Sequence, residues 1–115
     1  MTPSKQGDVV LLSFPFTDLT AAKHRPAVVI STEAFNIRQR DVMVLAMTSQ
    51  IPPTLSPEDY RLSSEDQQLA GLPKPSIVKC GKLLTIDQRL IRKALGHLPE
   101  PTLHQLRQRL STILG

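Results

Sequence analysis

Arg25 stands directly before the apolar run "PAVVIS", and Thr48-Ser49 closes a second apolar run, "VMVLAMTS". If both runs are strands that pair antiparallel, the start of one meets the end of the other. The guanidinium and the two hydroxyls then approach each other at one rim of a sheet. Arginine offers a planar fork matched to two phosphate oxygens, and hydroxyls add short bonds. Such a set binds a tetrahedral oxyanion, or stabilises the extra negative charge of a phosphorane. The same residues also have a plainer reading, an arginine as surface charge and a Thr-Ser pair opening a turn. His24, beside Arg25, is of a residue type suited to proton transfer, but successive side chains of an extended segment alternate faces.

Other chemistries find little support. His24, His97 and His104 are far apart in the sequence, and Cys80 has no CxxC partner, so no metal-ligand constellation appears. The five glycines are not spaced as a phosphate loop, and no GxSxG elbow is present. The expectation is a site without metal or cofactor.

The chain of 115 residues, 40% apolar, suits one domain over 1–115 with a single core. Only Phe14, Phe16, Phe35 and Tyr60 are aromatic, which disfavours a module that reads bases by stacking on many rings. Charge is uneven: residues 1–49 carry +1, residues 50–73 carry −3 and residues 74–115 carry +6, within a net +4. A basic C-terminal third fits a polyanionic or acidic partner, and equally a solvated face. One cysteine, Cys80, fits a reducing cytoplasm and a small buried apolar role. The start, "MTPSKQGD", lacks a secretory h-region, and no apolar run approaches the roughly 20 residues of a membrane span.

The elements that must position the site follow from the apolar pattern. "GDVVLLSF" (7–14) reads as a strand, residues 15–25 as a polar loop, and "PAVVIS" (26–31) as a second strand opened by proline. Residues 32–41 read as a turn and 42–49 as a third strand. Residues 60–64 suit a short strand, 65–75 a loop, and 76–86 a long strand bent at Gly81. Asp87 can cap a short helical turn, and 93–98 can return as a strand. Leu103, Leu106, Leu110 and Ile113 recur at helical spacing, with Thr102 as the expected cap. Phe14 and Phe16 read as core and loop anchors. Short strands and one closing helix predict a mainly β fold, a small bent antiparallel barrel with a C-terminal helix.

At this point the chain resembles the MazF/PemK family of toxin endoribonucleases. The resemblance rests on Gly7-Asp8-Val9-Val10, Arg25-Pro26-Ala27-Val28-Val29-Ile30-Ser31, Phe35-Asn36, Thr48-Ser49, Gly71-Leu72, Ser76-Ile77-Val78 and Thr85-Ile86-Asp87 in order, with the terminal helix ending in Leu-Gly. It implies an SH3-like barrel that forms a homodimer and cuts single-stranded RNA at short sequences, without a metal or cofactor. RNA's own 2′-hydroxyl would attack, leaving a 2′,3′-cyclic phosphate and a 5′-hydroxyl. It also implies a cognate antitoxin whose disordered, acidic tail covers the RNA groove. DNA would be contacted only through that antitoxin, and no membrane is involved.

Carried residue by residue, Arg25 matches the family's catalytic arginine and Thr48 its catalytic threonine, with Ser49 as a second donor. The general base is left open. Many members carry a carboxylate shortly before the Arg-Pro, whereas here Asp18 is the nearest; His24 is the other candidate. Gly81 and Leu84 also replace an aspartate and a basic residue common in the family. Lys23, Lys79 and Lys82 can hold flanking phosphates, and such contacts make binding salt-sensitive. Arg89, Arg92 and Lys93 fit a solvated face or a dimer seam. Two other readings stand beside the nuclease: a non-catalytic toxin of the same fold that acts by protein contact, like the gyrase poisons, and an inactive nucleic-acid-binding module.

Overall fold

The computed structural model describes residues 4–14 and 23–115, the side chains of Phe14 and Lys23 excepted. Its strands are β1 (Asp8–Phe14), β2 (Lys23–Val29), β3 (Asp41–Thr48), β4 (Asp59–Arg61), β5 (Ile77–Asp87) and β6 (Ile91–His97). They form one antiparallel sheet in the order β4-β5-β3-β2-β1-β6. Three helices join them: α1 (Glu33–Gln39), α2 (Ser64–Leu69) and α3 (Glu100–Leu114).

The central strands read as unbroken apolar runs because both faces of the sheet are covered. Val9, Val28, Leu45, Met47 and Val78 face Leu98 and the α3 residues Leu103 and Leu106 on one side. Val10, Leu12, Ala27, Val29, Val42, Val44 and Ile86 make a second cluster. Cys80 is fully buried in the first cluster, and burial pushes its thiol up to about 11, leaving it protonated and inert near neutrality.

The expected mainly β antiparallel fold with a C-terminal helix is present, its sheet not closed. Its edges, β4 and β6, do not pair. The chain leaving β4 enters α2 instead, and the C-terminal turn of α2 packs on the backbone of β6. A Cβ on Gly71 would lie 2.0 Å from the Leu95 carbonyl oxygen, and one on Gly96 would lie 2.1 Å from that of Leu69. Gly71 also has φ +71°, a conformation that favours glycine.

Two helices fall where the pattern predicted a turn and a loop. For α1 the signal was Thr32, whose Oγ1 accepts from the Phe35 N–H at 3.3 Å; for α2 it was Ser63, which accepts from the Asp66 N–H at 3.1 Å. Both are short, at seven and six residues, so neither repeats an apolar stripe long enough to register. The cap of α3 is Pro99 rather than Thr102, since Pro101 suits the first turn of a helix. Thr102 is buried, and its hydroxyl donates to the Asp66 carboxylate at 2.6 Å, tying α3 to α2. Asp87 does cap the 3₁₀ turn Gln88–Leu90, accepting from the Arg89 N–H at 2.8 Å.

Asn36, within α1, holds a buried polar network. Its side chain joins the Ser31 hydroxyl at 2.5 Å and donates to the Ser4 carbonyl at 2.7 Å, while its own carbonyl accepts from the Gln88 amide at 2.9 Å. Among the described residues, no helix is long and apolar enough to cross a membrane.

Candidate active site

β2 begins at Lys23 rather than Pro26, because β1 keeps pairing with it as far as Phe14 opposite Lys23. Arg25 therefore lies inside a strand, opposite Leu12. The ladder between β2 and β3 ends at Ala27 opposite Ala46, immediately beyond Pro26, which has no N–H to give. From there β2 is held by β1 alone. Extending the register by two residues sets Arg25 across from Thr48, and by three sets His24 across from Ser49. β2 and β3 do run antiparallel, as the sequence reading required, but Arg25 lies within β2 and not at its start.

Two cavities open at this rim. The larger, about 770 Å³, is lined by His24, Arg25, Thr48, Ser49, Gln50, Ser76 and the cations Lys74 and Lys93, over apolar Leu11, Pro26, Met47, Leu72 and Leu95. The smaller, about 630 Å³, is lined by Arg25, Thr48, Gln50, Lys79 and Lys82 with Leu83 and Leu84. Arg25, Met47, Thr48 and Gln50 border both. The described linings of the two together carry an arginine, four lysines and a histidine, and no carboxylate. Arg25 and His24 are exposed and Thr48 is half-buried.

Thr48 also opens a turn, so its plainer reading holds alongside its place in the groove. Its Oγ1 accepts from the Gln50 N–H at 3.0 Å. With that lone pair engaged, the hydroxyl proton is left to be donated outward.

Lys79 and Lys82 reach the same cavity because β5 is irregular. Leu45 of β3 faces Leu83, and the next residue, Ala46, faces Lys79, so residues 80–82 bulge out. Three residues apart in a regular strand would point to opposite faces; the bulge returns both lysines to one side. Gly81 sits in this bulge, as its predicted bend implied, and a Cβ there would meet nothing within 4 Å. On the far side, Lys79 lies across from Asp59 of β4. Both lysines also border a separate cavity with Glu58 and Asp59.

The structure thus brings together Arg25, Thr48, Ser49, His24, Lys79 and Lys82. Alternation puts His24 on the other face of β2 from Arg25, and it borders the larger cavity only. Asp18 and the side chain of Lys23 lie outside the described residues, as do Phe16 and the side chain of Phe14. Arg89 is engaged by Asp87 at 2.8 Å, away from both cavities, and holds that carboxyl below its usual range. The sequence reading missed Gln50, Lys74 and Ser76 and left Lys93 to a solvated face or a dimer seam; the +6 charge of residues 74–115 was a signal for the two lysines alone. Among the described residues, no three His, Cys, Asp or Glu side chains cluster as a metal site.

The fold and the rim define a class: a small antiparallel sheet backed by a helix, with a two-lobed cationic groove where two central strands part. The chain belongs to the PemK-like, MazF-like toxins of type II toxin–antitoxin systems, whose family model matches residues 5–114. No protein of curated function matches. Among solved structures it is similar to a chain of MazE-MazF (Form-III) from Deinococcus radiodurans, at 24% identity, TM-score 0.78, over 100% of this chain and 98% of that one. It is similar to an endoribonuclease in complex with its cognate antitoxin from a mycobacterial species, at 19% identity, TM-score 0.77, over 100% and 96%. The Mycobacterium tuberculosis toxin MazF-mt6 matches at 17% identity, TM-score 0.73, over 93% and 95%. At these identities the likeness is one of fold.

Proposed function

We propose that this toxin is an endoribonuclease that cleaves single-stranded RNA by metal-independent transesterification. The observation that supports it is Arg25 and Thr48 bordering both lobes of a groove whose described lining holds several cations and no carboxylate. In the reaction the 2′-oxygen of one nucleotide attacks its 3′-phosphorus and loses its proton to a base. The bond from phosphorus to the 5′-oxygen breaks, leaving a 2′,3′-cyclic phosphate and a 5′-hydroxyl. Arg25 neutralises the phosphorane and passes a proton to the departing oxygen. Thr48 donates to a phosphate oxygen, with Ser49 as a second donor at the larger cavity. His24, at that same lobe, is the candidate base among the described residues; Lys79 and Lys82 hold flanking phosphates.

An acidic antitoxin tail suits the same cations, which extends to this chain the partnership of the mycobacterial relative. A homodimer completes the proposed assembly.

The test is incubation of the purified protein with mixed-sequence single-stranded RNA in EDTA, with the new ends mapped. Cleavage leaving 5′-hydroxyl ends is expected, with Arg25→Ala slower by at least about 10²-fold. Binding without cleavage, or an Arg25→Ala protein as fast as the parent, would overturn the proposal.

A further inference from the structure

One wall of the larger cavity is the connection between α2 and β5, which contributes Gly71, Leu72, Pro73, Lys74 and Ser76. It belongs to neither helix nor sheet, so no regular ladder fixes it. Pro73 and Pro75 have no N–H to give. At the β5 end the Leu62 N–H donates to the Ser76 carbonyl at 3.1 Å. At the α2 end the close approach of Gly71 to the Leu95 carbonyl seats the turn against β6, which leaves Leu72 and the residues beyond it to be held by something else.

Gln67 takes both main-chain groups of Leu72. The Leu72 N–H donates to the Gln67 carbonyl at 3.1 Å, and the Gln67 side-chain amide donates to the Leu72 carbonyl at 3.2 Å. Leu72 is buried, and buried main-chain groups need such partners. Gln67 follows Asp66, whose carboxylate accepts from the Thr102 hydroxyl of α3 at 2.6 Å, with both side chains buried. A helix of six residues does not stand alone, so this bond helps to set where α2 sits. A path thus runs from Thr102 through Asp66 and Gln67 to Leu72, and none of the first three lines either cavity.

We infer that Gln67, seated through Asp66 on Thr102, is the positioning residue for this wall, and that it acts on RNA affinity rather than on the chemical step. The inference rests on the proposed reading of the groove as an RNA site. Arg25 and Thr48 are carried by β2 and β3, which pair with each other without Gln67. A wall that grips the strand equally before and during the reaction supplies uniform binding, which enters KM and leaves kcat alone.

The test uses Gln67→Met, which keeps length and helix preference and removes the amide. Affinity is read by fluorescence anisotropy on a 2′-fluoro strand, which lacks the attacking hydroxyl, and kcat and KM on the matching RNA. Affinity should fall about fivefold and KM rise to match, the weight of one ordinary hydrogen bond. The value of kcat should stay within about twofold of the parent. Thr102→Val, remote from the groove, should give the same split, and Thr102→Ser, which keeps the hydroxyl, should restore parental values within about twofold. Amide hydrogen exchange over residues 71–76 should quicken about fivefold in Gln67→Met and stay parental in β3, which separates a loosened wall from a loosened protein. Parental affinity and KM in Gln67→Met would overturn the inference, as would a fall in kcat at unchanged KM, or quickening that extends to β3. A parent that binds the 2′-fluoro strand but leaves the RNA uncut overturns the nuclease alone, and the affinity of Gln67→Met then decides the wall. A parent that binds no strand overturns both.

Discussion

Thr48 holds a turn and, in the proposed mechanism, also serves the reaction. Its oxygen accepts from the Gln50 N–H, an arrangement many threonines use to open a loop. The same bond fixes where the hydroxyl proton can point. Thr48→Val keeps the shape of the side chain and removes the donor. Cleavage of single-stranded RNA is expected to fall roughly 10²-fold, while thermal stability moves by less than about 1 kcal/mol, since Gln50 is exposed and water can replace the bond. Thr48→Ser retains donor and acceptor and should stay within about tenfold of the parent. A Thr48→Val protein with parental kcat would remove the hydroxyl from the proposed mechanism. Arg25 and Thr48 were legible in the sequence because each carries distinctive chemistry at a strand end. Lys74 and Ser76 were not, because a lysine and a serine among prolines look like any surface connection until the fold curls them around a cavity.

Among the elements, α2 is short and structurally decisive. It occupies the gap between the two sheet edges, and its end meets β6 with no room for a side chain at Gly71 or Gly96. Gly71→Ala places a methyl 2.0 Å from a backbone oxygen at φ +71°; a loss of about 2–4 kcal/mol, or roughly 10 °C in melting temperature, is expected. Gly81→Ala meets open space and should leave the melting temperature within about 2 °C. Calorimetry on the two variants decides it: equal melting temperatures would mean α2 does not lock the sheet. The strands and α3 were readable because long apolar runs and a repeated leucine stripe outlast local ambiguity. The helices α1 and α2 were not, although their caps, Thr32 and Ser63, stood in the sequence. A cap without a following stripe is also how a turn begins. The early start of β2 escaped for a related reason, since Lys23 and His24 have no apolar character and are strand only because β1 pairs with them.

For the whole molecule, charge is distributed by place rather than by total. The net +4 understates the groove, because acidic groups such as Glu58 and Asp59 gather on the far side of Lys79 and Lys82. Each single-strand phosphate contact contributes about 0.7 to the slope of log affinity against log salt. Lys82→Gln should therefore lower that slope by about 0.7, measured by anisotropy on a 2′-fluoro strand. Arg89→Gln, at a side chain already paired with Asp87, should leave it unchanged. Equal slopes for Lys82→Gln and the parent would place the phosphates elsewhere.

The order of strands in the sheet also bears on when the groove comes into being. β2 and β3 are joined by one short helix, so Arg25 and Thr48 meet through pairing that is local along the chain. Lys93 and Leu95 arrive with β6, whose sole sheet partner is β1, the most distant pairing in the sheet. Contacts of large sequence separation form late. A chain emerging from the ribosome thus brings its arginine and threonine together before the cavity has its last wall, and completes that wall, with Lys93, only when the final strand docks.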